Sequence, residues 1–519
     1  MVRTEVAARA ASTTRRSDRL LRPFDRLIEG WDFTRIGIAG LTGSCLIALG
    51  SYGAGALPAN DPTRQIPLIG LLRHGWVGLH IALGLYYLGL ALLMIAWLVL
   101  GRLLLTGSTR GDTAVDREVI EPAVLRRTLV RWMLPLLVSM PLASMDLYSY
   151  AAQAQLARLG LDPYTFTPAD LPGKFLDNVA WKWVDTPSPY GPLWVTVSRW
   201  VATVTGDHAL LSVLVLRLIP FAAIVVTARL IPGLARRFGG RGDLALWLAI
   251  ANPLVLVHGV GGGHNDAVMV AFMVAGLAAV LAPNANWRHL ALGAALMSLA
   301  AAVKAPGAVG VAFVVPIYVA GKASRAQLKA GDWLRYCLLA AAAAVPVFAL
   351  ITYLVGYGNG WTKQISPAIP VVNFMSIPTI LGVAYKLATG QPNAGSVVDH
   401  TIRSFRQIGS VVTALLLIAF WIRSIRRSPV QWLALSLLTV VVLSPAVQPW
   451  YFTWALVPAA LRIGARALSW IAAASVALTF LISPMGSGLG IAPYLPAVLA
   501  AGLGARALLG PVVHRVRTS

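Results

Sequence analysis

A few clusters of polar side chains interrupt an otherwise apolar chain of 519 residues, and they bound the chemistry open to it. Asp146 closes an apolar run and opens a stretch rich in Tyr, Trp, Pro and Asp. That stretch reads Met145-Asp146-Leu147-Tyr148-Ser149-Tyr150, then Leu159-Gly160-Leu161-Asp162-Pro163-Tyr164-Thr165, and ends Val184-Asp185-Thr186-Pro187-Ser188-Pro189-Tyr190-Gly191-Pro192-Leu193-Trp194. A carboxylate at the bilayer centre costs about 2.5–3.5 kcal/mol, and less near the interface. Asp146 therefore either marks where a helix leaves the membrane or serves as a general base beside it. A second cluster, His258-Gly259-Val260-Gly261-Gly262-Gly263-His264-Asn265-Asp266, sets two histidines and an aspartate around a glycine run. Its backbone N–H groups could cradle a phosphate, but the Lys-Ser/Thr of a nucleotide P-loop is missing. His264 and Asp266 are too few for a metal site. Lys304, in an Ala-rich run, either snorkels to the surface or pairs with an anionic headgroup, since charge within a membrane is functional by default. Trp361-Thr362-Lys363 and Gln448-Pro449-Trp450-Tyr451 complete the set, and Trp450 and Tyr451 also suit an interfacial aromatic belt.

The elements that must hold these groups are membrane helices. The chain is 57% hydrophobic and 12% charged, with a mean hydropathy of +0.71, whereas a soluble protein carries about a quarter charged residues. The apolar runs lack the two-residue alternation of an outer-membrane barrel, so helices must satisfy the backbone in lipid. A net charge of +23 does not indicate nucleic acid here. The basic residues sit in short clusters between apolar runs, as they do when they set orientation across a bilayer. Cys45 and Cys337 read as small buried hydrophobes, with no disulfide framework and no metal site.

Spans of roughly 20 residues are expected to begin near Ile36, Val77, Leu129, Ala209, Leu244, Ala267, Leu290, Gly307, Trp333, Ile408, Val430, Trp450, Trp470 and Ile491, about fourteen in all. This count places Arg236 to Arg241, Arg288, Lys322 to Lys329, Arg423 to Arg427 and Arg462 to Arg466 inside. It places His258–Asp266, Ser444–Pro449 and Ser483–Gly488, which hold no Lys or Arg, outside. The stretches 190–205 and 371–388 then lie along or dip into the outer leaflet. The organisation expected is a basic cytoplasmic tail over 1–30, two N-terminal transmembrane helices over 31–125, a catalytic region over 126–510 with its loop at 145–194, and a second tail over 511–519. The fold class is an all-α polytopic membrane protein.

The run ending in Asp146, the Gly-Leu-Asp-Pro-Tyr loop, the Tyr-Gly-Pro-Leu-Trp re-entry and the later Gln-Pro-Trp-Tyr together resemble the GT-C superfamily of membrane glycosyltransferases. The chain is most similar there to the actinobacterial polyprenol-phosphomannose-dependent α-(1→6) mannosyltransferases, over roughly Arg126 to Pro496. The resemblance implies a GT-C-like bundle of about fourteen transmembrane helices with a long extracytoplasmic loop and juxtamembrane helices. It implies inverting transfer of mannose from polyprenyl-phosphate-mannose to a mannan, phosphatidylinositol-mannoside or other glycolipid acceptor, at the outer face of the plasma membrane. Asp146 is the implied catalytic base, without cofactor or metal and with no nucleic acid partner. Lys304, Lys363, Arg217 or His264 would meet the donor phosphate, while Tyr148, Tyr164, Tyr190 and Trp194 would stack on sugars. Asp162, Asp266, Trp450 and Tyr451 complete the expected binding residues. A transporter or flippase of lipid-linked sugars is the alternative. It would need a polar path and, commonly, internal repeats, and the polar residues instead gather at one face.

Overall fold

A computed structural model describes residues 30 to 509, leaving out 60, 108–117, 323–327, 366–370, 394, 427, 463, 487–494, 496–497 and 507–508, and only the backbone of 363–365 and 465–466. The expected tails therefore lie outside the described residues, which form helices and no strand. In chain order these are α1 (Phe33–Ala54), α2 (Gly75–Thr106), α3 (Pro122–Leu137), α4 (Asp146–Arg158), α5 (Pro192–Thr205), α6 (Ala209–Arg237) and α7 (Gly242–Ala249). After a π-helical turn at Val255–Gly261 come α8 (Asp266–Val280), α9 (Trp287–Val303), α10 (Ala308–Ala320) and α11 (Ala330–Val355). The order closes with α12 (Ile377–Ala388), α13 (His400–Arg426), α14 (Pro429–Leu443), α15 (Thr453–Ala460) and α16 (Ala465–Phe480).

Among the described residues five helices, α1, α2, α6, α11 and α13, are long and apolar enough to cross a membrane. A sixth results if the turn Val255–Gly261 and α8, bent by 109°, count as one broken span. With shorter apolar helices such as α9, α10 and α14, this is a multi-pass membrane protein, but the fourteen expected spans are not reproduced. The runs near Leu244 and Trp450 fold as α7 and α15, of 8 residues each. At a rise of about 1.5 Å per residue that is well short of a hydrocarbon core of about 30 Å. Hydropathy overlooks the break: after α7, Asn252 donates its side-chain amide to Leu248 O and Ser475 Oγ, and Pro253 follows. The 14 residues of α5 and the 12 of α12 are likewise too few to cross at that rise.

One continuous core runs from Ile36 to Leu509, so the N-terminal hairpin packs with the rest of the bundle. α1 and α2 approach backbone to backbone, because a Cβ on Gly43 would lie 2.8 Å from Gly89 O. Small residues at such crossings replace the hydrophobic drive that lipid does not supply. Trp97 of α2 and Trp247 of α7 stack at 5.1 Å, each donating its indole N–H to the other's carbonyl at 3.0 and 2.8 Å. Cys45 is exposed on α1 and Cys337 half-buried on α11. The expectation that both are buried fails because a helix in lipid turns apolar side chains outward as readily as inward.

The stretch before Asp146 corrects another expectation. The apolar run does not continue as one helix to the aspartate: α3 ends at Leu137, and Asp146 begins α4. The connection between them is clamped from four sides. Met140 N–H donates to Ser51 Oγ (2.9 Å), and Pro141 O accepts from Ala56 N–H (2.9 Å). Leu142 N–H reaches Gly261 O (3.2 Å) and Ala143 N–H reaches Pro484 O (2.9 Å). Ala143 sits at φ 57°, a left-handed conformation that costs an L-residue roughly 1–2 kcal/mol and that these bonds enforce.

Candidate active site

α4 is the element on which the site is built. Every residue from Leu147 to Ala157 is buried, so this helix is enclosed by protein, and 145–194 is only in part a loop. Asp146 occupies its first position, where the positive end of the helix dipole favours a carboxylate. Residues 146, 149 and 153, spaced for one helical face, bring Asp146, Ser149 and Gln153 to the wall of a cavity of about 440 Å³. Tyr190, Lys304, Gln448, Trp450 and Tyr451 line it from other elements, and Lys182, Trp183 and Asp185 close it from the long loop.

Lys304 caps the C-terminus of α9. Its ammonium donates to Asp266 Oδ1 (2.8 Å) and lies 4.2 Å from the centroid of the Tyr451 ring and 5.3 Å from that of Trp454. Trp454 Nε1 donates to the same Asp266 oxygen at 2.6 Å. His264 stands behind Asp146 with Nδ1 3.4 Å from Asp146 Oδ2, and its ring stacks on Trp450 at 3.7 Å and 13°. Gly263, at φ 64°, turns the backbone between the π-helical turn and this histidine, a conformation glycine adopts without cost. Burial pushes the Asp146 carboxyl up, but the nearby His264 ring, Ser144 and the Lys304 charge outweigh it and hold the group below its ordinary range. The carboxylate is thus charged at neutral pH and loses that form only as pH falls through the lowered value.

The structure brings together Asp146, Tyr190, Lys304, Trp450 and Tyr451 at the cavity wall, with His264 and Asp266 directly behind. Trp450 and Tyr451 are buried or half-buried cavity walls here, beyond the belt anchors their types allow. Five expected binding residues are elsewhere. Tyr148 is buried and donates its hydroxyl to Ala56 O (2.8 Å), tying α4 to the N-terminal hairpin. Trp194 is buried edge-on against Tyr150 at 5.2 Å, and Tyr164 packs in a separate cluster with Ala157, Val195 and Val355. Both aromatics are used up by core contacts before any sugar could reach them. Asp162 builds a turn, accepting from Tyr164 N–H and Thr165 Oγ1 at 2.9 Å each, as aspartates before proline commonly do. Arg217 is buried and donates to Leu137 O (3.0 Å) and Ser139 O, closing the end of α3. It has no access to a phosphate. Arg217→Met should lower the thermal midpoint of the detergent-solubilised protein while the folded fraction keeps the donor KM within about twofold. An unchanged midpoint with a raised donor KM would return Arg217 to the site. The side chain of Lys363 lies outside the described residues.

Ser149, Gln153 and Lys182 were not foreseen. The first two are legible once a helix is started at Asp146, since they follow at +3 and +7; Lys182 and Trp454 carry no such periodic sign. No group of three His, Cys, Asp or Glu side chains placed to hold a metal ion occurs among the described residues.

Comparison with known proteins gives a consistent picture. Residues 37–320 match the model of the α-(1→6)-mannopyranosyltransferase N-terminal domain, and residues 378–514 match that of the MptB C-terminal domain. The α-(1→6)-mannopyranosyltransferase A of Mycobacterium tuberculosis is 35% identical over 460 residues, covering 86% of this chain and 84% of that one. The α-(1→6)-mannopyranosyltransferase A of Corynebacterium glutamicum is 29% identical over 422 residues, 78% of this chain and 84% of that one. Among solved structures, ArnT of Cupriavidus metallidurans bound to undecaprenyl phosphate aligns with a TM-score of 0.38 at 16% identity, over 76% of this chain and 75% of that one.

Proposed function

The chain belongs to the α-(1→6)-mannopyranosyltransferase family, and from that premise we propose that it moves mannose from a polyprenyl-phosphate carrier to a mannan or glycolipid hydroxyl. The observation that carries this reading is one cavity presenting a carboxylate, Asp146, and an ammonium, Lys304, to the same space. Glycosyl transfer with inversion needs a base on the attacking hydroxyl and a cation on the departing phosphate, and one carboxylate suffices. Asp146 takes the acceptor proton as the acceptor oxygen attacks C1. The C1–O bond breaks toward the phosphate, whose developing charge Lys304 meets.

Two further features support a lipid donor. An apolar groove of about 960 Å³ runs between α9, α10 and α11, with Ala301 and Ala308 on either side of Lys304 in sequence. The α9–α10 junction that carries Lys304 thus borders both groove and cavity, as suits a donor whose lipid and phosphate are adjacent. α9 and α14 each carry a basic residue at or near the end away from the cavity. α9 starts beside Arg288 and ends at Lys304, and α14 starts three residues after Arg426 and leads to Gln448. Basic ends face the cytoplasm by preference, which supports a reading with the cavity on the outer side of the membrane.

Purified protein should transfer mannose from polyprenyl-phosphomannose and leave GDP-mannose untouched, as followed by radiolabelled product, and the activity should survive EDTA. Direct use of GDP-mannose would overturn the donor. Loss in EDTA restored by a single divalent ion would show that a metal takes part.

A further inference from the structure

His264 is placed for a task that the transfer reaction leaves unassigned. The ring is 1% exposed, and neither nitrogen has a hydrogen-bonding partner among the described residues. Its nearest polar neighbour is Asp146 Oδ2, 3.4 Å from Nδ1, slightly longer than a hydrogen bond at rest. The ring is held on its face by Trp450 and along its edge by the backbone, since a Cβ on Gly262 would come within 3.0 Å of Cδ2 and Nε2. A buried imidazole without a partner costs free energy, and a ring fixed this tightly beside the base is oriented toward it alone.

We infer that Asp146 and His264 form a proton-sharing pair, in which the proton removed from the acceptor hydroxyl crosses Asp146 and comes to rest on His264. This rests on the assignment of Asp146 as the base. The acceptor O–H bond breaks to Asp146, and the oxygen lone pair forms the new bond to C1. The electron pair of the broken C1–O bond leaves on the phosphate. Asp146 Oδ2 then gives its proton to His264 Nδ1, which regenerates a carboxylate paired with an imidazolium. The proton leaves His264 after the product departs. The charged and titratable groups facing the ring are Asp146 from α4, Asp266 on α8, Lys304 after α9 and His258 in the π-helical turn, the last with ring centroid 6.3 Å away. With both carboxylates charged and Lys304 the nearby cation, a positive imidazole offsets the surplus negative charge as the anionic carrier phosphate is released. His264 is thus a positioning residue acting through Asp146.

The test is the pH profile of kcat/KM for His264→Gln, which keeps a polar side chain but cannot take up a proton. With the pair intact, one proton on either partner silences the base, so the pair as a unit sets the acid limb of the profile. The variant should lose about 10²-fold in kcat, and its acid limb should move, since the carboxylate then titrates alone. A fall in rate with an unmoved acid limb would show a purely steric role and overturn the pair, as would a wild-type rate and profile. If His264→Gln does not fold, a proton inventory on the wild-type enzyme with a slow acceptor decides: a curved dependence on deuterium fraction supports two protons in flight, and a straight line overturns them. Retained turnover in Asp146→Asn would remove the base itself. An inactive Asp146→Asn beside an unmoved acid limb in His264→Gln would remove the inference alone.

Discussion

Asp146→Asn is expected to lose at least about 10²-fold in turnover, at the lower end of what a positioned general base contributes. Asparagine keeps the size, the polar contact to His264 and a residue compatible with the first turn of α4. It cannot accept the acceptor proton at neutral pH. Because only the reaction step is touched, expression and donor binding should stay near wild type, as measured by detergent-extracted yield and direct binding of labelled lipid donor. Asp146→Glu should also be impaired, since moving the carboxylate by about 1 Å costs on the order of 10²-fold in positioning. Asp162→Asn is the control, because Asp162 is spent on its own turn. Asp185 is the rival: it lines the same cavity from the long loop. Near-wild-type turnover in Asp146→Asn with loss in Asp185→Asn would transfer the role to Asp185.

The second large effect concerns Lys304, whose ammonium is both a cavity wall and the partner of buried Asp266. Breaking a buried pair by removing one partner typically costs about 3–5 kcal/mol, so Lys304→Met alone should lower the thermal midpoint as well as activity. The double variant Lys304→Met/Asp266→Asn separates the two. It removes the stranded carboxylate and should regain most of the midpoint. Transfer should stay depressed by about 10²–10³-fold in kcat/KM for the donor, as when one transition-state charge partner is lost. Recovery of turnover along with stability would make Lys304 a structural residue and leave the phosphate without its cation.

The residues gathered at the candidate site were more legible in the sequence than the scaffold that holds them. Asp146, His264, Asp266 and Lys304 stand out because charge is rare in this chain, and each is expensive where it lies. α4 was hidden for the opposite reason. Its run, Asp-Leu-Tyr-Ser-Tyr-Ala-Ala-Gln-Ala-Gln-Leu-Ala-Arg, is too polar to register as a span, and the protein encloses it where lipid would not. Tyr148, Tyr164 and Trp194 look like sugar platforms by type, yet a buried aromatic and a stacking aromatic have the same sequence signature. Their partners, Ala56 O, Val355 and Tyr150, come from elements that no local pattern connects to them. The runs expected to span from Leu244 and Trp450 are cut short, the first before Asn252-Pro253, where apolar composition persists while the helix stops, and the second at Ala460.

The clamped connection ahead of Asp146 also fixes when, during synthesis, the enzyme becomes competent. Ser51 and Ala56 leave the ribosome before it, but Arg217, Gly261 and finally Pro484 follow long after, and loop closure over such separations is slow and comes late. Lys304 and its partner Asp266 are already present while the support of Asp146 still lacks its last tie. A chain that ends before Pro484 therefore holds the Lys304–Asp266 pair but lacks the bond that fixes Ala143 ahead of Asp146. The same bonds that hold the mature site in place thus make its completion one of the last steps of synthesis.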